Sequence, residues 1–320
     1  MYHGIINVYK EPGYTSHDVV ARLRGILKQK KIGHTGTLDP AAEGVLPVCL
    51  GAGTRLCDMM ADRSKTYEAV LLLGISTDTQ DTTGEILTED RDKALTLQED
   101  EVRRAVMGFL GDYAQIPPMY SALKVDGKKL YELARAGKEV ERQARMVQIQ
   151  ELEIGDIDLP RVKIRVSCSK GTYIRTLCHD IGQLLGCGGC MEHLTRTRVG
   201  NFHIQDSVKL DELEQIRDNG LLGQYITPVE EALSCYEALF ALPEGDKALF
   251  NGNPCFKQQL DWGRKEGQGR PEDGQRFRLY SSEGRFAGVY EYQSEKHWWK
   301  PWKMFLSMDE TFTSKKEELG

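Results

Sequence analysis

Asp39 is a lone carboxylate in "GHTGTLDPAAEGVLPVCLG", residues 33–51. Gly33 and Gly36 permit tight backbone geometry around His34 and Thr35. Pro40 restricts the residue before it and pushes Asp39 into an extended conformation. Taken alone, Asp-Pro is an ordinary turn signal. A glycosidase-like pair with Glu43 is conceivable, but carboxylates four residues apart rarely flank a substrate from two sides.

Other chemistries find little support. G-x-x-x-x-G-K-[ST], G-x-S-x-G and H-E-x-x-H are absent, and Gly51-Ala52-Gly53 lacks the third glycine of a dinucleotide fingerprint. Cys187, Cys190 and His193 in "CGGCMEH", with Cys178-His179 upstream, have a spacing zinc could use. The stretch also fits a Gly-rich helix exit, and no second Cys-x2-Cys exists, so no metal and no cofactor are expected. The eight cysteines, spread from 49 to 255, read as reduced core thiols.

The elements that must position these residues follow from hydrophobic period. "GIINVYK" (4–10), "VLPVCL" (45–50), "TYEAVLLLG" (66–74) and "RVKIRVS" (161–167) read as strands. In the last, Val162, Ile164 and Val166 face one way and Arg161, Lys163 and Arg165 the other. Ser16 is placed to cap a helix over "HDVVARLRGILKQ", and Thr172 to cap one in "CSKGTYIRTLCHDIGQLLG". "GTRLCDMMAD" reads as a short helix, and "QEDEVRRAVMGFLG" (98–111) and "GKKLYELARAG" (127–137) as two more; the acidic stretch 76–101 reads as turn and hairpin material. Strands and helices mix without a βαβ repeat, which points to an α+β fold with a mixed, largely antiparallel sheet and flanking helices.

Composition shifts near residue 232. Beyond it, short β-like segments separated by Gly and Asn begin with "LPEGDKALFNGNPCF" and include a hairpin over 276–292; residues 261–275 read as a polar loop. The division expected is 1–232, then a small β-rich domain over 233–310, then a disordered tail over 311–320. The N-terminus lacks the pattern of a signal peptide and no apolar run is long enough for a membrane span, so a cytoplasmic setting is expected.

The net charge of −6 argues against nucleic acid in bulk, but its distribution does not. Residues 76–101 hold nine acids against two bases, whereas 120–145 hold seven bases against four acids and 161–198 seven against two.

"GHTGTLDPAAEGVLPVCLG", "KTYEAVLLLG", "IPPMYSALKVDGKKLYELARAG" and "CSKGTYIRTLCHDIG" occur in this order and spacing. Together they closely resemble the bacterial TruB-type tRNA pseudouridine synthases, over residues 4–200. "LFNGNPCF" resembles the start of that family's PUA-like RNA-binding domain. The resemblance implies the pseudouridine synthase fold and isomerisation of uridine 55 in the tRNA T loop. In that reaction the N1–C1′ bond breaks, the uracil turns, and it rejoins through C5. A carboxylate can attack C1′ or the ring, or stabilise the sugar cation.

By the same resemblance Asp39 matches the catalytic aspartate, Tyr67 the tyrosine that stacks on the uracil and handles a proton, and Arg175 the arginine paired with that aspartate. Tyr173 and Leu194 match apolar walls of the base pocket. Lys10 matches a lysine near the site, in "KE" where the family has "KP". His34 matches the histidine that fills the gap left by the flipped base. Lys124, Lys128, Lys129 and Arg165, in the basic segments, become candidate phosphate contacts. The partner implied is the T stem-loop of tRNA, acted on by a monomer with no protein partner required. The rival class is a tRNA-binding folding assistant with little or no catalysis.

Overall fold

The computed structural model describes residues 1–306 apart from 126 and 268. The tail expected to be disordered lies outside them. The chain begins with β1 (Gly4–Lys10), α1 (Ser16–Leu27), β2 (Ile32–His34), β3 (Glu43–Leu50), α2 (Cys57–Ala61) and β4 (Lys65–Leu73). An excursion of small elements follows: β5 (Ile75–Thr77), β6 (Ile86–Glu89), α3 (Arg91–Thr96), α4 (Glu99–Met107), β7 (Gly111–Gln115), β8 (Lys124–Val125), β9 (Lys128–Lys129) and α5 (Leu130–Arg135). Then come β10 (Arg145–Asp158), β11 (Arg161–Cys168), α6 (Ile174–Leu184), β12 (Gly189–Val199), β13 (Phe202–His203), α7 (Leu210–Asp218), β14 (Ile226–Thr227) and α8 (Val229–Ala232).

The main sheet runs β14-β1-β3-β12-β4-β11-β10-β7, with β2 and β13 at its sides. The β12–β3 pairing is parallel and its other pairings are antiparallel, so the sheet is mixed and largely antiparallel, as read from the sequence. Strand alternation divides the core. Tyr67, Ala69, Leu71 and Leu73 of β4 pack with Leu177 and Ile181 of α6 and Val102 and Val106 of α4. Ile6, Val8, Leu46 and Val48 pack under Val19, Val20 and Leu23 of α1 and Leu213 of α7. These residues share the front face of the sheet. On the back, Ile5, Val45 and Cys49 meet Leu56, Met60, Leu233, Val289 and Phe305.

Val289 comes from the second sheet and Phe305 directly follows its last strand; the sheet is built from β15 (Glu237–Ala241), β16 (Cys255–Phe256), β17 (Leu260–Asp261), β18 (Arg276–Tyr280), β19 (Phe286–Gln293) and β20 (Trp298–Met304), in the order β16-β20-β19-β18-β15-β17. This is the small β-rich C-terminal unit. It has its own core around Leu239, Phe277, Tyr290 and Trp299. The helix α9 (Pro243–Phe250) lies where "LPEGDKALFNGNPCF" read as the start of short β-like segments: Pro243 sits at its start, where a missing N–H costs nothing. Among the described residues no helix is long and apolar enough to cross a membrane.

Several local expectations are corrected. Thr15, not Ser16, caps α1, through a reciprocal pair with Asp18; such a cap is worth about 1 kcal/mol. Thr172 does not cap α6, because its hydroxyl donates to the Ser169 carbonyl and Tyr173 takes the cap position. The helix expected over 98–111 stops at Gly108, and Gly111, with φ +98°, opens β7. The one expected over 127–137 is only α5, preceded by the β8–β9 hairpin. "GTRLCDMMAD" forms a 3-10 turn over Gly51–Leu56 before α2, and the acidic stretch is a hairpin followed by α3 and the start of α4.

Candidate active site

The residues joining β2 to β3 carry Asp39, and the surrounding structure holds this loop from several directions. Leu38 is pinned by Ser16, whose hydroxyl accepts from the Leu38 N–H at 2.9 Å. That contact explains why Ser16 is buried instead of capping. Lys10 is fully buried, and its ammonium donates to the carbonyls of Glu11 (3.1 Å), Pro40 (3.1 Å) and Ala42 (2.6 Å). All three donors are used, so Lys10 supports the loop from beneath and has none left for a substrate. Burial pushes its pKa down to about 8.

Arg175, on the first turn of α6, approaches Asp39 in two places. Its Nε lies 2.9 Å from Oδ2, and Nη2 donates to Oδ1 at 3.2 Å. The guanidinium also donates to the carbonyls of Thr79 (3.0 Å) and Tyr120 (2.9 Å). Its side chain is 6% exposed and that of Asp39 36%, so a fixed cation stands behind a carboxylate open to solvent. A second carboxylate, Asp81, lies 3.6 Å from Nη1 and is oriented by the hydroxyl of Thr79 and the N–H of Thr83. The sequence reading missed Asp81; the signal was the Asx-turn pattern of "DTQDTTG".

Tyr67 stands on β4 in the apolar cluster that contains Leu38, Ala42, Ile174 and Leu194. Burial pushes its hydroxyl up to about 12, and the positive charge of Arg196 works in the opposite direction. Tyr173 is fixed through its backbone: Gln115 accepts from its N–H at 2.8 Å and donates to its carbonyl at 2.9 Å. Gln115 and Arg196 are further residues the sequence did not disclose, since their partners lie far off in the chain. Asp39, Tyr67, Tyr173, Arg175 and Leu194 are thus brought to one face of the sheet.

His34 ends β2 and meets His17 edge-on, with ring centroids 5.3 Å apart. Burial, then His17 and Arg196, lower its pKa and favour the neutral ring. Lys124, Lys128 and Lys129 lie on the β8–β9 hairpin, tied back through the Leu130 and Tyr131 amides to the carbonyls of Leu123 and Ser121. The segment so held carries Tyr120, an acceptor of Arg175.

Arg165 and Glu43 face away from the Tyr67 side of the sheet. Arg165 projects from the back of the sheet, opposite Tyr67, and pairs with Glu153 at 3.1 Å. Arg161 and Lys163 are likewise paired, with Glu192 and Asp156. The basic appearance of 161–165 is offset by these acidic partners. Glu43, the imagined glycosidase partner, also turns to the back, where its carboxylate accepts from Thr195 and lies 3.3 Å from His193. Cys187 and Cys190 are buried with their thiols pushed up by burial, and among the described residues no group of three or more His, Cys, Asp or Glu could hold a metal.

Residues 24–174 match the N-terminal domain of the TruB family of pseudouridylate synthases, and residues 175–234 match a tRNA pseudouridylate synthase B C-terminal domain. A protein of Lachnoclostridium phytofermentans named tRNA pseudouridine synthase B is 49% identical, over 95% of this chain and all of its own length. Proteins of the same name from Clostridium novyi and Staphylococcus haemolyticus are each 46% identical, over 90% and 82% of this chain and 94% and 88% of their own. Among solved structures, an H/ACA ribonucleoprotein bound to a substrate RNA contains a chain with TM-score 0.72 and 25% identity, covering 96% of this chain and 86% of that one. A Cbf5–Nop10–Gar1 complex contains another, with TM-score 0.72 and 26% identity, covering 97% and 87%. The chain belongs to the TruB family of pseudouridylate synthases.

Proposed function

We propose that this chain converts uridine 55 of the tRNA T loop to pseudouridine, with Asp39 as the reacting carboxylate. The observation that carries the reading is the two-point contact between buried Arg175 and solvent-open Asp39. A guanidinium in that position holds the carboxylate at two points and aims it. Attack by Asp39 at C1′ displaces the uracil through N1; the base turns, C5 attacks C1′ and displaces the Asp39 carboxylate, and the proton on C5 leaves while N1 takes one up. In the alternative, Asp39 adds to the uracil ring and is expelled from it once C5 has bonded to C1′. Tyr67 stacks on the uracil and relays the C5 proton. Tyr173 and Leu194 line the base pocket, which a dry, apolar wall makes selective for a planar ring.

A stacked nucleotide must be extruded before it can enter such a pocket. His34, neutral and close to the Asp39 loop, fills the vacated place in the T loop. Lys124, Lys128 and Lys129 contact backbone phosphates, giving a salt-dependent contribution to binding. The C-terminal unit from about residue 233 adds further RNA contacts. A pure folding assistant has no use for a carboxylate facing an anionic strand, and this argument favours the enzyme. The test is pseudouridine mapping of an unmodified tRNA transcript incubated with the purified chain. Conversion at position 55 is expected, and its absence with tRNA bound would leave the folding assistant.

A further inference from the structure

Arg196 is a buried cation to which the proposed reaction assigns no task. It lies on β12 where three elements meet: its backbone is in register with Tyr67 of β4 and with Gly44 of β3. The approach to β3 is so close that a Cβ at Gly44 would lie 2.3 Å from the Arg196 carbonyl oxygen, and Gly44 has φ +104°. The side chain of Arg196 is sealed from solvent. Its Nε donates to the carbonyl of Val45 at 2.7 Å, Nη1 to Thr37 at 3.2 Å, and Nη2 to Gly36 at 3.5 Å. These carbonyls stand at the two ends of the loop that carries Asp39.

The partners of this guanidinium are carbonyls, not a carboxylate, so its charge is left to act on its surroundings. Three neighbouring bases register it. Lys10, Lys65 and His34 are all pushed toward their neutral forms, first by burial and further by Arg196. Burying a cation in this way is costly, and a purely apolar side chain would fill the space without that cost. Facing it on the same side of the sheet is the Tyr67 hydroxyl, where positive charge favours release of a proton.

We propose that Arg196 is a positioning residue for the isomerisation: it fastens both ends of the Asp39 loop and holds a fixed positive charge toward the Tyr67 hydroxyl. The inference rests on the reading of the chain as a uridine-55 synthase, which wild-type conversion checks separately. The experiment is a double-mutant cycle, with single-turnover pseudouridine formation and tRNA affinity measured on an unmodified transcript. Arg196→Gln should slow the chemical step by about 10²-fold, within the range of lost acid–base assistance, while tRNA affinity stays within about threefold. Arg196→Lys, which keeps the charge but not the three-way grip, should recover about tenfold of that rate. In a Tyr67→Phe background the Gln penalty should shrink by about tenfold or more, because the group it acts through is gone. The same penalty in both backgrounds, or a loss confined to tRNA affinity, would overturn the proposal. Should the Gln variant not fold, the Lys variant carries the same comparison: a rate loss that shrinks in the Phe background supports it, and an unchanged loss refutes it.

Discussion

Two arginine–carboxylate pairs lie on opposite faces of the same sheet and differ in nearly everything else. On the front, Arg175 is 6% exposed, meets Asp39 at two points, and spends its remaining donors on the carbonyls of Thr79 and Tyr120. On the back, Arg165 and Glu153 are 47% and 63% exposed, in a row of similar cross-strand pairs. Exposed pairs contribute about 0–1 kcal/mol and are readily exchanged for water. A buried guanidinium cannot make that exchange, so its geometry is set before any substrate arrives. The back row balances surface charge, whereas the front pair aims a carboxylate.

Breaking the front pair at its reacting end should have the largest effect. Asp39→Asn is nearly isosteric but cannot act as a nucleophile; turnover should fall below detection while tRNA affinity stays within about tenfold. Substantial residual conversion by a contamination-free preparation would remove Asp39 from its role. Tyr67→Phe comes next. It keeps the aromatic face, so stacking survives, but a lost proton relay should slow single turnover by roughly 10²–10⁴-fold. A core tyrosine with no chemical part would give a Phe variant of wild-type rate.

The smallest of these effects concerns stability. Lys10 has its pKa depressed from 10.5 to about 8. Between those values the unfolded chain keeps a proton that the folded chain has released, so this group makes stability rise with pH across about 8 to 10.5. Lys10→Met should flatten the dependence of Tm on pH in that window, leaving the share due to Lys65, which is shifted likewise. An unchanged slope would mean that Lys10 titrates as an exposed lysine.

Asp39, Tyr67 and Arg175, to which the proposed reaction gives the chemistry, were legible in the sequence because they sit in motifs whose resemblance could be seen. The sequence also disclosed the long strands, since alternation in 161–167 survives in β11 unchanged. What supports the site stayed hidden. Lys10, Ser16 and Arg196 hold the Asp39 loop through its backbone carbonyls and amides, contacts that leave no side-chain pattern at either end. Asp81 reaches Arg175 across 94 positions of chain, and Glu153 cancels Arg165 from the next strand. Charge counted along a segment therefore overstated the basic surface at 161–165. The helix α9 was hidden by glycine and asparagine, which read as turns although its end packs against the second sheet.

The account stands most directly on the contrast between the two faces, and one paired measurement tests it. Single-turnover pseudouridine formation on unmodified tRNA should be compared for Arg175→Lys and Arg165→Lys, each a change that keeps the charge. Lysine cannot make the two-point contact with Asp39 while also serving two carbonyls, so Arg175→Lys should slow the chemical step by roughly 10²-fold. Arg165→Lys should stay within about twofold, since an exposed pair fixes nothing the reaction uses. Comparable losses in both variants, or a silent Arg175→Lys, would contradict the assignment of the chemistry to the front of the sheet.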